Sequence, residues 1–132
     1  MEKRFYDPEG LAISPSYTHT VAVDGGRTIY VSGQVALDEK GQLVGRGDLA
    51  AQVRKTYENL KLALAAAGAT LDDLVKTTTY VVGYKPEQLA VIREVRSHYL
   101  PKKNPPASTL VGIEKLFLDD VLIEIDAIAV VD

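Results

Sequence analysis

The sequence contains no cysteine and no tryptophan, and histidine occurs only as His19 and His98. Because cysteine is absent, the chain can form neither a disulfide framework nor a thiolate nucleophile, and it suits a reducing compartment. The two histidines fall on different predicted elements, and neither has a short-spaced histidine partner. This spacing argues against a structural zinc site and against a serine–histidine–aspartate triad. We predict that the protein binds no metal.

Long apolar runs and an excess of positive charge are missing too. No run approaches the ~18 residues of a membrane span, and the opening stretch MEKRFYDPEG has no apolar signal core. We therefore expect a cytoplasmic protein with no membrane partner. A net charge of -3 and a pI of about 5.4 give no overall field for nucleic acid, so we expect no nucleic-acid partner.

The composition that is present is that of a globular chain. Apolar residues make up 46% and charged residues 25% of the 132 residues. A chain of this length can bury roughly two thirds of its unfolded surface, which is enough for a normal core. We predict a single domain over residues 1–132.

Hydrophobic periodicity and turn residues predict the elements before the last strands. Strands are expected at 17–23 and 29–33, joined as a hairpin by the Asp-Gly-Gly step, with a short optional strand at 4–6. Helical spacing from Asp48 as the cap predicts a helix to residue 67, ended by Gly68. A β-branched strand follows at 75–82, and a second amphipathic helix is expected from Pro86 to Leu100.

The C-terminal stretch 104–132 reads as two β-rich runs separated by a charged turn, which predicts a second hairpin. In its last run, Glu124 falls on a face that is otherwise largely apolar. Both faces become apolar towards the C-terminus, so we expect a helix to cover one and another subunit the other. The order ββαβαββ predicts an α+β sheet with two helices on one face.

Short motifs in this order resemble the RidA/YjgF family of enamine and imine deaminases. The stretches that carry the resemblance are Tyr17, Val31-Ser32-Gly33-Gln34, Gln52 with Asn59, Ala67-Gly68, Val75-Lys76-Thr77-Thr78, Pro106-Ala107, Leu116, and Ile123-Glu124-Ile125-Asp126-Ala127-Ile128-Ala129. The resemblance implies a chorismate-mutase-like fold with a mixed sheet. It also implies a homotrimer whose sheets form a barrel, with clefts between subunits that bind a small imine or carboxylate, and no cofactor.

The same resemblance assigns roles to four residues. Glu124 would position and activate water, which is general-base work for an acid in a partly apolar cleft. Tyr17 would line the cleft, and backbone groups near Gly33 and Leu110 would orient the substrate. The residues alone leave a simpler alternative for each. Glu124 would be a solvent-facing carboxylate, Tyr17 an ordinary aromatic residue of a strand, and Gly33 a bulge or strand end.

One position departs from the family pattern. Ser108 stands where family deaminases carry an arginine, and a hydroxyl cannot clamp a carboxylate bidentately. On the second helix, Arg96 falls inside the apolar stripe and Arg93 at its margin. We predict Arg93 as a relocated anion contact, with Arg96 second; the alternative is that both extend to solvent, to Glu94 or to aspartate partners.

Three functions follow. The leading one is a hydrolytic imine or enamine deaminase whose substrate has shifted from 2-iminobutyrate and 2-iminopropionate because of Ser108. The second is a metabolite-binding trimer without catalysis. The third, endoribonuclease or translation-inhibitor activity, fits poorly with an acidic chain that has no evident basic aromatic groove.

Overall fold

The computed structural model describes residues 1–132 as six strands, two helices and one 3-10 turn. Their bounds are β1 (Glu2–Tyr6), β2 (Thr20–Asp24), β3 (Arg27–Gln34), α1 (Leu49–Ala66), the 3-10 turn (Leu71–Asp73), β4 (Leu74–Val82), α2 (Gln88–Arg96), β5 (Ala107–Ile113) and β6 (Ile123–Val131). This order confirms the predicted ββαβαββ series with its leading strand. Neither helix has the length and apolar content needed to cross a membrane.

The main sheet has four strands in the order β3-β6-β4-β5. The last strand of the chain, β6, lies inside this sheet and runs antiparallel to both β3 and β4. Strands β4 and β5 run parallel, so the chain between them has to cross over, and α2 makes that crossover. The mixed α+β sheet is therefore confirmed.

Both hairpin predictions are wrong. Strand β2 pairs with β1 in a separate two-stranded sheet, although Gly25 and Gly26 do adopt the expected positive φ of 75° and 83°. Likewise β5 pairs with β4, while β6 enters between β3 and β4. Turn residues report only how the chain bends locally, whereas the apolar face of β6 is best buried in the middle of the sheet.

Helix α1 follows its prediction closely. The side chain of Asp48 accepts a hydrogen bond from the Ala51 N–H at 3.0 Å, and Gly68 follows the helix with a φ of +79°. Helical spacing predicts an apolar stripe of Leu49, Val53, Tyr57, Leu60 and Leu64; the first of these is half-buried and the other four are buried. Amphipathic spacing thus identified the helix and the face it buries.

Helix α2 is shorter than the predicted 86–100. After Arg96 the chain continues as turns, with the amides of Tyr99 and Leu100 both bonding the Arg96 carbonyl at 2.9 and 3.0 Å. The apolar periodicity continues past the helix because the turns bury Leu100 as well. The burial order on the helix is as predicted, since Arg96 is half-buried and Arg93 is exposed.

One face of the sheet is covered by the helices and the other is open. The inward residues of β6, together with Ile92 and Val95 of α2, belong to one apolar cluster of 17 residues. On the opposite face Tyr30 is 78% exposed and stands beside Ile128. Nothing within this chain covers that second face, and its coverage by another subunit stays a prediction.

Two side-chain amides of α1 hold the segment that follows β3 and the segment that precedes β6. Gln52, fully buried, donates to the Gly45 and Asp120 carbonyls at 3.1 and 3.0 Å and accepts from the Leu122 N–H at 2.9 Å. Asn59 donates to the carbonyls of residues 35 and 37 at 2.8 and 2.9 Å. These bonds hold the end of β3 and the start of β6 in place beside each other.

Candidate active site

Glu124 lies near the start of β6 on the open face of the sheet. The register places it beside Tyr80 of β4, and Asp126 beside Thr78. The Tyr80 hydroxyl lies 3.5 Å from Asp126 Oδ2, at the limit of a hydrogen bond. The carboxylate of Glu124 is half-buried among these groups rather than free in solvent.

Gly33 makes room for that carboxylate. It lies where the β3–β6 register shifts between Val31 and Gln34, so the strand is irregular there. A methyl group at Gly33 would lie 2.4 Å from Glu124 Oε2 and 2.6 Å from its Cδ. Those separations are far below van der Waals contact, and therefore only glycine lets Glu124 take this position.

Two causes raise the pKa of Glu124. Burial is the larger, because it disfavours the charged form, and the negative charge of Asp126 adds to it. A carboxylate with a raised pKa is a stronger base once it is ionised. We call Glu124, Asp126 and Gly33 the carboxylate half of the candidate site.

Ser108 and Leu110 lie at the opposite edge of the sheet. They belong to β5 and stand beside Thr77 and Thr79, which are buried, so they share the helix-covered side. Glu124 is on β6, two strands away or about 10 Å across the sheet, and on the open face. Gly33 is one strand further, on β3. One chain alone does not bring Ser108 and Leu110 to Glu124.

Tyr17 belongs to the same edge as Ser108. The next residue, Thr18, is buried and donates its hydroxyl to the Pro105 carbonyl at 2.5 Å, while its N–H bonds the Pro106 carbonyl at 3.2 Å. The Tyr17 ring meets the His19 ring edge-on, with centroids 5.2 Å apart. These contacts tie Tyr17 to the start of β5 and not to Glu124.

The predicted arginines line a cavity of about 350 Å³ between α2 and two proline-containing segments. Arg96 donates to the Ser16 carbonyl, so the alternative of an acidic partner is wrong for this residue. Burial lowers the pKa of Arg96, and the nearby charge of Arg93 lowers it further against an opposing effect of Tyr57. Lys102 also lines the space. We call it the basic cavity; its walls are Pro15, Ser16, Arg93, Arg96, Ser97, Leu100, Pro101, Lys102 and Pro105.

Sequence reasoning missed Lys102 and the contact between Tyr80 and Asp126. Lys102 is on a connecting segment, where no periodicity reports the direction of a side chain. The pairing of Tyr80 with the Glu124–Asp126 face depends on β6 lying next to β4, and the predicted hairpin had placed β6 elsewhere. No three His, Asp or Glu side chains lie together in a set that could hold a metal ion.

The family model described as Endoribonuclease L-PSP matches residues 10–131 of this chain. The chain belongs to the RidA/YjgF/L-PSP family. Among its RidA-family relatives, the 2-iminobutanoate/2-iminopropanoate deaminase of Salmonella typhimurium is 36% identical over 121 residues, covering 90% of this chain and 89% of the relative. The 3-aminoacrylate deaminase RutC of Acinetobacter baylyi is 33% identical over 130 residues, covering 98% of both.

Solved RidA-family structures share the fold. YyfB of Yersinia pestis, a protein of unknown function from the conserved Rid family, superposes with a TM-score of 0.90 at 38% identity, covering 99% of this chain and all of the other. RidA from an Antarctic Psychrobacter gives a TM-score of 0.71 at 30% identity, covering 96% and 98%. The chorismate-mutase-like YjgF fold expected from the resemblance is thereby confirmed.

Proposed function

We propose that this RidA-family protein hydrolyses a reactive imine or enamine and releases ammonia, with Glu124 as the general base. The observation that carries the proposal is the Glu124 carboxylate, half-buried on the open sheet face in space that only Gly33 provides. Two relatives at about a third identity are deaminases of 2-iminobutanoate or 2-iminopropanoate and of 3-aminoacrylate. Their chemistry requires a base of this kind beside a water molecule.

The proposed reaction needs only water and one proton-transferring group. The carboxylate of Glu124 takes a proton from water while the oxygen adds to the carbon of the C=N bond, and it passes that proton to the nitrogen, which gives a carbinolamine. Glu124 then takes the proton of the carbinolamine hydroxyl and delivers it to the nitrogen, so that the C–N bond breaks as the C=O bond forms and ammonia leaves. An enamine first takes a proton on carbon and loses one from nitrogen to become the imine. Imine and water thus give a carbonyl compound and ammonia, with no cofactor.

The complete site is proposed to form between copies of the chain. Because Ser108, Leu110 and Tyr17 are at the edge opposite Gly33, a cleft holding both sets requires the β5 edge of one copy beside the β3 edge of another. A closed ring of three copies, with the open faces turned inward as a barrel, satisfies this and covers Tyr30. We propose this homotrimer as the working assembly.

Substrate choice is proposed to differ from that of the iminobutanoate enzyme. A serine hydroxyl at 108 replaces the charged clamp that the resemblance implies, and losing a hydrogen bond to a charged group costs roughly 1.5 to 3 kcal/mol. Arg93, exposed at the mouth of the basic cavity, is the proposed relocated anion contact. Arg96 is less available because it already serves the Ser16 carbonyl.

The proposal is tested by ammonia release from freshly generated 2-iminopropionate, 2-iminobutyrate and 3-aminoacrylate. Glu124→Gln keeps the shape of the side chain and removes the base, so turnover should fall by about 10² to 10⁴ fold. Glu114→Gln, an exposed acid on the β5–β6 connection, is the matched control and should keep wild-type turnover. Wild-type turnover that survives in Glu124→Gln would contradict the proposed base.

A second function, ligand binding without catalysis, is favoured by one observation, the serine at 108. A Ser108→Arg variant separates the two functions. If wild type is inactive on all three substrates but Ser108→Arg gains turnover, the machinery is intact and the natural substrate carries its charge elsewhere. If wild type, Glu124→Gln and Ser108→Arg are all inactive, the chain is a binding protein.

A further inference from the structure

The basic cavity is lined by positively charged side chains and by no carboxylate that would neutralise them. Arg93, Arg96 and Lys102 line it, and none of its walls is an aspartate or glutamate. None of the three cations takes part in an ion pair anywhere in the chain. Arg93 and Lys102 are exposed and Arg96 is half-buried, so three positive charges border one space that no carboxylate neutralises. Such an arrangement favours the binding of an anion.

Helix capping does not account for the two arginines. They occur in the last turn of α2, where a cation is favourable next to unpaired carbonyls. Here, however, the carbonyls of residues 93, 95 and 96 already receive backbone N–H groups from the turns that follow. Arg96 bonds the Ser16 carbonyl on another segment instead. The guanidinium groups therefore face the cavity and not the helix end.

The walls of the cavity are stiff. Prolines 15, 101 and 105 line it, and a proline ring fixes its own φ. The buried Thr18 holds the first proline segment to the last through its bonds to the carbonyls of residues 105 and 106. The backbone around the cavity is therefore fixed before a ligand binds, and Arg96 is held by the Ser16 carbonyl, which lowers the ordering cost of binding.

We infer that the basic cavity binds a doubly charged oxyanion, a phosphate monoester or a dicarboxylate, carried by the small-molecule substrate. Three cations outnumber the single charge of a 2-imino monocarboxylate, and a dianion matches them better. The guanidinium fork of Arg93 can engage a pair of oxygens, a geometry that phosphate and carboxylate share. Arg96, which already donates to the Ser16 carbonyl, and Lys102 add positive charge beside it. This inference rests on the proposed function for the identity of the reacting group, but the binding itself can be measured without turnover.

The location of the cavity fits such a role. Ser16 precedes Tyr17, and Pro105 comes three residues before Ser108, so the cavity adjoins the substrate-binding residues predicted for this edge. A ligand anchored at Arg93 would extend its reacting end towards the β5 edge, where the neighbouring copy is proposed to supply Glu124. Anchoring distant from the reacting atoms can replace the clamp that Ser108 lacks.

The test is calorimetric titration of the purified full chain with inorganic phosphate, malonate and acetate at low ionic strength and mildly alkaline pH. Phosphate or malonate should bind at least about tenfold more tightly than acetate, and the tighter of the two identifies the anion class. In Arg93→Gln the Kd for that dianion should rise about tenfold or more. Lys103→Gln is the matched control, because this exposed lysine is next to Lys102 but does not line the cavity.

Other results would overturn the inference. Equal affinity for acetate and both dianions would contradict the preference for a doubly charged ligand. Equal Kd values for Arg93→Gln and Lys103→Gln would show that the anion does not bind in the basic cavity. If a short single-stranded RNA binds, its binding depends on Arg93, and neither phosphate nor malonate binds, then the ligand of the cavity is a nucleic acid and not a small molecule. The proposed function and the proposed anion site can fail independently. Dianion binding without ammonia release would support the anion site and contradict the deaminase. Iminopropionate turnover without dianion binding would support the deaminase and contradict the anion site.

Discussion

Two regions of the molecule carry opposite charges and are built differently. On the open face of the main sheet, Glu124 and Asp126 lie together on the interior strand β6, and the raised pKa of Glu124 reflects burial and the neighbouring acid. Beside the β5 edge, the basic cavity holds three cations and no acid. In one chain β4 separates β6 from β5, which puts these two strands about 10 Å apart.

The way each region is held differs as well. The carboxylate half is fixed by two side-chain amides of α1, since the buried Gln52 and the half-buried Asn59 bond the loops on either side of it. The basic cavity is fixed by bonds to backbone carbonyls, from Thr18 to Pro105 and from Arg96 to Ser16. Each region is thus ordered before a ligand or a second copy arrives, and neither neutralises the other within one chain.

Short of removing the base itself, the largest expected effect comes from adding a single methyl group to the carboxylate half. Gly33→Ala places that methyl on the Glu124 side chain, which must rotate away because the separation would be 2.4 Å. A displacement of about 1 Å at a reacting group can cost ~100-fold in rate, so we expect a drop of that order in ammonia release.

Folding should be little affected by Gly33→Ala, since residue 33 is exposed and its φ is not in the left-handed region. Thermal unfolding measured beside Thr28→Ala, an exposed site on the same strand, checks this. Full activity in Gly33→Ala would mean that the position of Glu124 has no part in turnover.

A smaller change in ammonia release should come from mixing two inactive variants of the chain. If each site takes Glu124 from one copy and Arg93 from the next, Glu124→Gln and Arg93→Glu should each be nearly inactive alone. Co-refolded in equal amounts as random rings, about a quarter of the sites would have both intact residues. Ammonia release should therefore recover to about a quarter of the wild-type rate.

Separately refolded and then mixed samples serve as the control for slow exchange between rings. No recovery after co-refolding, with ring formation shown by light scattering, would mean that both residues act from the same copy. Substantial activity of Arg93→Glu alone would exclude its role as an anion contact.

The smallest effect concerns the pH dependence within the carboxylate half. A general base works only when ionised, so the rate should fall as the pH drops through the pKa of Glu124. Asp126→Asn removes the smaller of the two causes that raise this pKa. The acidic limb of the kcat/KM profile should then move to lower pH, while burial keeps it above the range of an ordinary glutamate.

Asp119→Asn, an exposed acid on the β5–β6 connection, should leave the acidic limb unmoved. A shift to higher pH in Asp126→Asn, or no shift beyond that control, would show that a group other than Glu124 controls the limb. The comparison is made on kcat/KM because this ratio reports the free protein.

Hydrophobic periodicity, caps and turn residues predicted the helices and most strands. They did not predict which strands pair with each other. The stripe of α1 and its Asp48 cap are set by residues close together in the chain. The place of β6 between β3 and β4 depends on residues about a hundred positions apart, such as Arg27 and Val131, and no turn motif reports that. Within the candidate site, strand alternation placed Glu124 on a largely apolar face, and the family resemblance supplied its predicted role. The basic cavity needed Lys102 from a connecting segment.

The central position of β6 has a consequence for how the chain acquires its structure. The strand that completes the sheet is the last element in chain order, and its partners β3 and β4 have no other common neighbour. Until β6 is in place, β3 and β4 each have an unpaired edge. Such non-local pairing folds slowly and leaves strand edges open to aggregation, so the insertion of β6 is the step that protects the sheet.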